Sequence, residues 1–401
     1  MLIKNKQAKN AVLIGTLCSI SYLAVYFARN TLGAVKQTMI NEGDFTFEQT
    51  GMFSSLFFMA YAIGQLINGY IGDKIKAKYM ISFGLILAGI SNIVFANTDA
   101  SYMVASVAYC LTGFFLSMIY GPMTKVVSEN TEPLHATRCS LGYTLASFLG
   151  SPMAGFIAVF LSWQGTFAVS SISLIVMGII CFSVFLIFEK KGIVKYGQYQ
   201  RAEDNGGSIK ILIKHHIIKF TLISVITGVI RTTVIDLLTT YYSQYHNYSD
   251  KNAKLIFTVT TLIITTTSFI SVFIYEKMGR NINRSVLIFF SFSAVFFLLV
   301  FFIKSPVLNI IFLVLAIMAS NASATMLWSV YCPSLKRTGM ISSATGFLDF
   351  MSYMAASVSS TVFANAVTDI GWNGLILVWF GLMTVGVIVA LPYNKILKKA
   401  P

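Results

Sequence analysis

"EKKGIVKYGQYQRAEDNGGSIK", residues 189–210, is the one long polar stretch in a chain otherwise made of apolar runs. Working outward from it, six apolar runs precede, near 11–36, 50–72, 79–97, 102–126, 139–161 and 166–188. Six come after it, near 217–243, 253–275, 285–303, 307–332, 340–368 and 374–391. Each comes close to the ~20 residues that a helix needs to cross a hydrocarbon layer of about 30 Å. Only 11% of the 401 residues are charged and 56% are hydrophobic, with a mean hydropathy of +0.74. A soluble domain carries about 25% charged residues, so this chain lacks the charge to wet a globular surface. The first run is too long, and too continuous with the rest of the chain, for a cleaved signal peptide. The expected fold is all-α: a polytopic membrane protein of twelve transmembrane helices in two pseudosymmetric six-helix bundles. Residues 1–188 form the first bundle, 189–216 a cytoplasmic loop and 217–401 the second.

The net charge of +14 raises the question of a nucleic-acid partner, and its placement answers it. With the amino terminus inside, 23 of the 29 Lys and Arg fall in cytoplasmic segments and four (Lys36, Lys251, Lys254, Lys304) in outer loops. Such a bias orients membrane proteins. Both termini are therefore expected in the cytoplasm, in a plasma or inner membrane, with the lipid bilayer and not nucleic acid as the large partner. Cys18, Cys110, Cys139, Cys181 and Cys332 lie in or beside apolar runs without CxxC spacing, and the four histidines fall in expected loops. This pattern points to no metal site. No nucleophile–base pair or phosphate loop is visible either, so neither an enzyme nor a cofactor is expected.

The two halves repeat. Arg29-Asn30-Thr31 recurs as Arg231-Thr232-Thr233, 202 residues later, and Asp73-Lys74 as Glu276-Lys277, 203 residues later. The remaining two basic residues, Arg29 and Arg231, stand within apolar runs. An arginine at the bilayer centre costs roughly 2.5–3.5 kcal/mol on insertion scales. Counted to Lys36, Arg29 lies about 10 Å below the outer end of its run. Asp236 comes five residues after Arg231, about 140° around an α-helix, which is poor pairing geometry. Two semi-buried arginines at corresponding positions, with no evident same-face carboxylate, point to an anionic cargo as counter-ion; the alternative is structural pairing. Arg offers a planar fork that grips phosphate or carboxylate bidentately and does not deprotonate. Tyr22 and Tyr26, at i−7 and i−3 from Arg29, and Tyr61 on the second run are candidates to touch cargo, with core packing as their alternative. Asn321 and Trp328 on the tenth run are weaker candidates.

A duplicated six-plus-six chain with a basic central loop resembles the major facilitator superfamily of transporters. "GYIGDKIKAK", Gly69 to Lys78, is similar to that superfamily's loop signature, though Lys76 stands where the signature has its second glycine. The resemblance implies a gating latch of Gly69, Asp73 and Lys74, to which Lys125 in "YGPMTK" (120–125) is added. "YFARNTLG" (26–33) and "VIRTTVID" (229–236) resemble helices 1 and 7 of the organophosphate:phosphate antiporters. So do "YAIGQLINGYIGDK" (61–74) and the stretch from "SSATGF" to "DIGWNG" (369–374). This resemblance implies that Arg29 and Arg231 converge on a substrate phosphate, with Asp236 also matching. The chain departs from the family at Gln65, where relatives carry lysine, at Asn30, at Leu145, nearest a family histidine, and at Asp349, where relatives carry glycine.

These features lead to an expected secondary transporter of a small organic anion, a sugar phosphate or glycerol phosphate, exchanged for inorganic phosphate by alternating access. The expected binding set is Arg29, Arg231, Tyr22, Tyr26, Tyr61, Gln65 and Asp349. A proton carried by Asp349 gives the rival coupling, symport of another organic anion. A multidrug proton antiporter and a non-transporting sensor on the same scaffold are further alternatives. The protein is expected to act as a monomer.

Overall fold

The computed structural model describes residues 2–98, 101–196, 209–335 and 341–391. Among these residues every regular element is helical. The first half contains α1 (Leu2–Asn41), α2 (Phe47–Lys74), α3 (Ala77–Ala96), α4 (Tyr102–Asn130), α5 (Pro133–Ala158) and α6 (Trp163–Lys190). The second contains α7 (Ile217–His246), α8 (Asp250–Lys277), α9 (Ile282–Phe302) and α10 (Pro306–Tyr331). A final helical stretch, Ile341–Ala390, is broken at Gly371, whose φ of 68° leaves the right-handed helical region. Glycine tolerates that conformation, and the break yields α11 (341–370) and α12 (372–390). Twelve spans result among the described residues, as the hydropathy pattern requires.

Local chemistry places the ends. Thr46 and Gln49 close a reciprocal capping box at the start of α2. Ser162 and Asn281 accept backbone N–H groups at the starts of α6 and α9. Pro133 and Pro306 occupy first-turn positions, where a missing N–H costs nothing. Lys219, near the start of α7, donates to the Ala390 carbonyl at 3.0 Å and so answers the exposed carbonyls closing α12. Hydropathy ends the first span near residue 36, whereas α1 continues to Asn41. Lys36, expected in an outer loop, therefore lies inside the helix and is buried.

Packing groups the chain into two compact units. The first holds Met1–Glu203 together with Asp236–Leu262; the second holds Asp204–Ile235 and Ile263–Pro401. Residues 236–262, which the sequence allots to the second bundle, thus pack with the first unit. Lipid provides no hydrophobic drive between helices, so close approach depends on small residues and hydrogen bonds. In the first unit an added Cβ at Gly113 would overlap the Phe57 carbonyl of α2. Phe45, Phe53, Phe95, Phe167 and Trp163 fill one end of it, edge-to-face except for the tilted pair Phe95–Phe167. In the second unit a Cβ at Gly228 would overlap the Ser352 hydroxyl, and Ser224 Oγ donates to the Leu348 carbonyl at 2.8 Å. Both contacts set α7 against α11 at a constant offset of 124 residues.

Candidate anion site and its outer latch

Arg29 is only 8% exposed. Twelve residues separate it from the end of α1, about 18 Å at 1.5 Å per residue, so it lies deeper than the sequence count to Lys36 implied. Its guanidinium carbon stands 5.1 Å from the Tyr26 ring centre, 5.6 Å from Phe58 and 5.4 Å from Tyr61. Ring faces attract a cation most where water is scarce, and three of them hold the planar fork while adding no formal charge. Tyr26 and Tyr61 thus stand against Arg29, and Tyr22 joins them through Tyr26, their ring centres 4.9 Å apart. Asn30 Nδ2 donates to the Tyr26 carbonyl at 2.7 Å, which ties that amide to its own helix. Gln65 is half-buried on α2. Among these residues of the first unit, Arg29 supplies the one formal positive charge.

Arg231 lies in a π-helical turn, Ile230–Val234, within α7. Such single-turn bulges recur at functional positions because they turn side chains out of α register. The β-branched run Ile230, Thr232, Thr233, Val234 carries no sequence mark that distinguishes a π-turn from an α-turn. The 140° offset assumed between Arg231 and Asp236 rests on α geometry, which this turn does not have. Asp349 is half-buried on α11 and lies within electrostatic reach of the Cys332 thiol just beyond α10. With the offset of 124 residues, position 355 is level with Arg231 and Asp349 lies six residues further inward, about 9 Å along the helix.

Asp236 has a partner the sequence did not reveal. Lys36, 1% exposed, forms an ion pair with it. Ser54 Oγ of α2 donates to the same carboxylate at 2.6 Å and receives a bond from Lys36 at 3.3 Å. Gly33 permits the approach: its absent Cβ would lie 3.1 Å from the Asp236 Cα. Thr239 Oγ1 donates to the Gly33 carbonyl at 2.6 Å, and one turn further out Thr38 donates to Asp250 at 2.9 Å. Lys254 pairs with Asp250 at 2.7 Å. Lys36, expected in an outer loop, instead belongs to a buried pair that, with the Thr38–Asp250 bond, ties α1 and α2 to residues 236–250, while Lys254 pairs with Asp250 inside α8.

Comparison with known proteins identifies the scaffold. Residues 18–360 match the Major Facilitator Superfamily. The chain belongs to that superfamily. A solved D-xylose–proton symporter superposes with a TM-score of 0.75 over 94% of this chain and 95% of its own, at 13% identity. A bacterial homologue of the human lysosomal transporter Spinster, inward-facing and occupied, gives 0.72 over 94% and 96%, also at 13% identity. Among curated relatives, a probable hexose phosphate transport protein of Chlamydia pneumoniae is 24% identical over 165 residues, 40% of this chain and 36% of its own length. That match spans about a third of the relative. A phosphoglycerate transporter protein of Salmonella typhimurium is 21% identical over 384 residues, 88% of this chain and 82% of its own. The membrane sensor protein UhpC of Escherichia coli K12 is 28% identical over 96 residues, 24% of this chain and 22% of its own. The chain is thus an integral membrane protein built on that superfamily's helical scaffold.

The superfamily's loop motif falls at the carboxyl-terminal end of α2 and the turn into α3. The side chains of Gly69, Asp73 and Lys74 lie outside the described residues, and Lys125 is half-buried on α4. At the start of α3, Glu189 receives Lys76 at 2.8 Å and also pairs with Lys78. The hydrogen bond to Glu189, then that carboxylate's charge, raises the Lys76 ammonium above its usual range. The chain then turns back. Asn130 exchanges two hydrogen bonds with the Lys195 backbone, at 3.1 and 2.6 Å, and the Tyr196 ring lies 5.6 Å from the Lys76 ammonium. The first residues of the central segment are thus strapped to the inner ends of α3 and α4. Sequence reading missed Lys36, Ser54 and Glu189; the pairing distances along the chain, 200 for Lys36–Asp236 and 111 for Glu189–Lys78, leave no local pattern.

Proposed function

We propose that the protein carries a small phosphorylated metabolite, a sugar phosphate or glycerol phosphate, in exchange for inorganic phosphate by alternating access. The observation that carries this reading is Arg29: a guanidinium 8% exposed, far from the helix end, and held by three aromatic faces. Arg231 occupies the corresponding place in the repeat and sits on a π-turn. Two forks suit a dianion such as a phosphate monoester better than a neutral sugar. Lys36 does not add to the site's charge, because Asp236 neutralises it. An anion gripped by both forks would favour closure around it, because its charge answers theirs as water leaves. Exchange follows in this reading, since the return stroke also needs an anion, and inorganic phosphate is the counter-substrate that the resemblance to the antiporter family implies. The names of the hexose phosphate and phosphoglycerate relatives support this substrate class. For the outer side to open, the Lys36–Asp236–Ser54 and Thr38–Asp250 bonds would separate, consistent with the rocking-bundle scheme of such transporters.

Uptake of labelled phosphate into proteoliposomes, loaded or not loaded with phosphate, tests the proposal. Uptake should depend on internal phosphate and be inhibited by external phosphate monoesters. Uptake that ignores both, and tracks an imposed proton gradient instead, would replace exchange by symport.

A further inference from the structure

We infer that Tyr120 of α4 is a specificity-determining residue that reads the body of the anion whose head Arg29 holds. The inference rests on the anion-site reading above and concerns the first unit alone. In the sequence Tyr120 is no more than the first letter of "YGPMTK". In the structure its ring centre lies 5.6 Å from Tyr22, and Tyr143 of α5 lies 5.9 Å from Tyr22 and 6.2 Å from Tyr120. Tyr22 in turn meets Tyr26, which meets Arg29. A continuous wall of phenols therefore runs inward from the guanidinium, Tyr22 being seven residues, or about 10 Å, below Arg29 on the same helix face.

The members of this wall differ in exposure. Tyr22 and Tyr143 are buried, while Tyr120 is 37% exposed. Its surroundings identify what it faces. Met103, Val104, Val107 and Leu111 form an exposed apolar stripe on α4, and Tyr120, nine residues past Leu111, lies half a turn away from that stripe. On its own side, four residues on and about 40° round the helix, stands half-buried Thr124, whereas Gly121 and Lys125 turn back toward the stripe. An apolar stripe suits lipid; the opposite face, with its tyrosine and threonine, suits water. Residue choice points the same way. The chain has 33 Phe and 19 Tyr, and the tightly packed cluster at one end of the first unit is mostly phenylalanine. Apart from Phe58 against the guanidinium itself, the wall running from Arg29 is tyrosine, combining apolar faces with hydroxyls able to donate and accept.

An anion gripped at Arg29 then lays its remainder along this wall. A three-carbon body reaches Tyr26, and a six-carbon polyol body extends to the level of Tyr22 and Tyr120. Tyr143 stands behind as a positioning residue. Tyr120 thus favours the longer, hydroxylated monoester and is indifferent to the phosphate head.

The test is inhibition of labelled-phosphate exchange in proteoliposomes by inorganic phosphate, glycerol 3-phosphate and hexose 6-phosphate, in wild type, Tyr120→Phe and Tyr120→Ala. The expected result is unchanged inhibition by phosphate in all three. The hexose 6-phosphate to phosphate ratio of half-inhibiting concentrations should rise about tenfold in Tyr120→Ala and by a smaller factor in Tyr120→Phe. An unchanged ratio with intact exchange overturns the role of Tyr120 and leaves the anion site standing. Wild-type protein that exchanges no phosphate overturns the anion-site reading and this inference with it. A parallel loss for all three inhibitors makes Tyr120 structural and overturns the inference as well.

Discussion

A single guanidinium carries most of the functional argument, and its chemistry can be separated from its charge. Arg29→Lys keeps the cation, loses the planar fork, and replaces a weakly hydrated group with a strongly hydrated one between three rings. Phosphate exchange per inserted protein is expected to fall at least tenfold, about 1.4 kcal/mol, and Arg231→Lys should do likewise. Normal exchange in both variants would sink the anion site. Asp349 separates the two couplings. Where phosphate itself completes the cycle, Asp349→Asn should leave the uptake profile between about pH 5 and 8 unchanged. A profile that flattens on substitution assigns the coupled proton to Asp349 and favours symport.

Between elements, the outer latch is the strongest structural claim. Removing one member of a buried ion pair leaves an uncompensated charge and costs about 3–5 kcal/mol, whereas replacing both by apolar groups is often neutral. Lys36→Met and Asp236→Leu should each lower the melting temperature of the solubilised protein by several degrees, and the double variant should recover most of the loss. Three additive changes would show that the pair is not coupled. The inner strap obeys a different rule, because Glu189 faces one exposed and one buried lysine. Lys76→Met is expected to leave the melting temperature unchanged, since an exposed pair contributes little. Glu189→Gln should lower it, since buried Lys78 then loses its carboxylate. Equal effects of the two would remove the distinction.

At the scale of the whole molecule, the compact units do not match the repeat in the sequence. Asp236–Leu262 packs with the first unit, so a cut in the polar central segment parts only that stretch from its unit and leaves every spanning helix whole, while a cut between Ile235 and Asp236 breaks α7 and parts both units. Co-expressed fragments 1–200 and 201–401 should reassemble and exchange phosphate, whereas fragments divided between Ile235 and Asp236 should not. Activity of the second pair alone would contradict this grouping.

Twelve apolar runs about a polar centre, the basic bias of the inner segments and the recurrence of Arg29 at Arg231 were legible in the chain itself, because each is a local or periodic property. The helices of this superfamily come from those alone. Tertiary structure decided the rest. Lys36 reads as a loop lysine until α1 is seen to continue past it and Asp236, 200 residues away, is brought against it. The π-turn at Arg231 and the phenol wall joining Tyr22, Tyr120 and Tyr143 leave no spacing rule to detect. Hydropathy registers whether a side chain can tolerate lipid; only packing determines which buried polar groups meet, and the partners that neutralise a charge lie on helices distant in sequence.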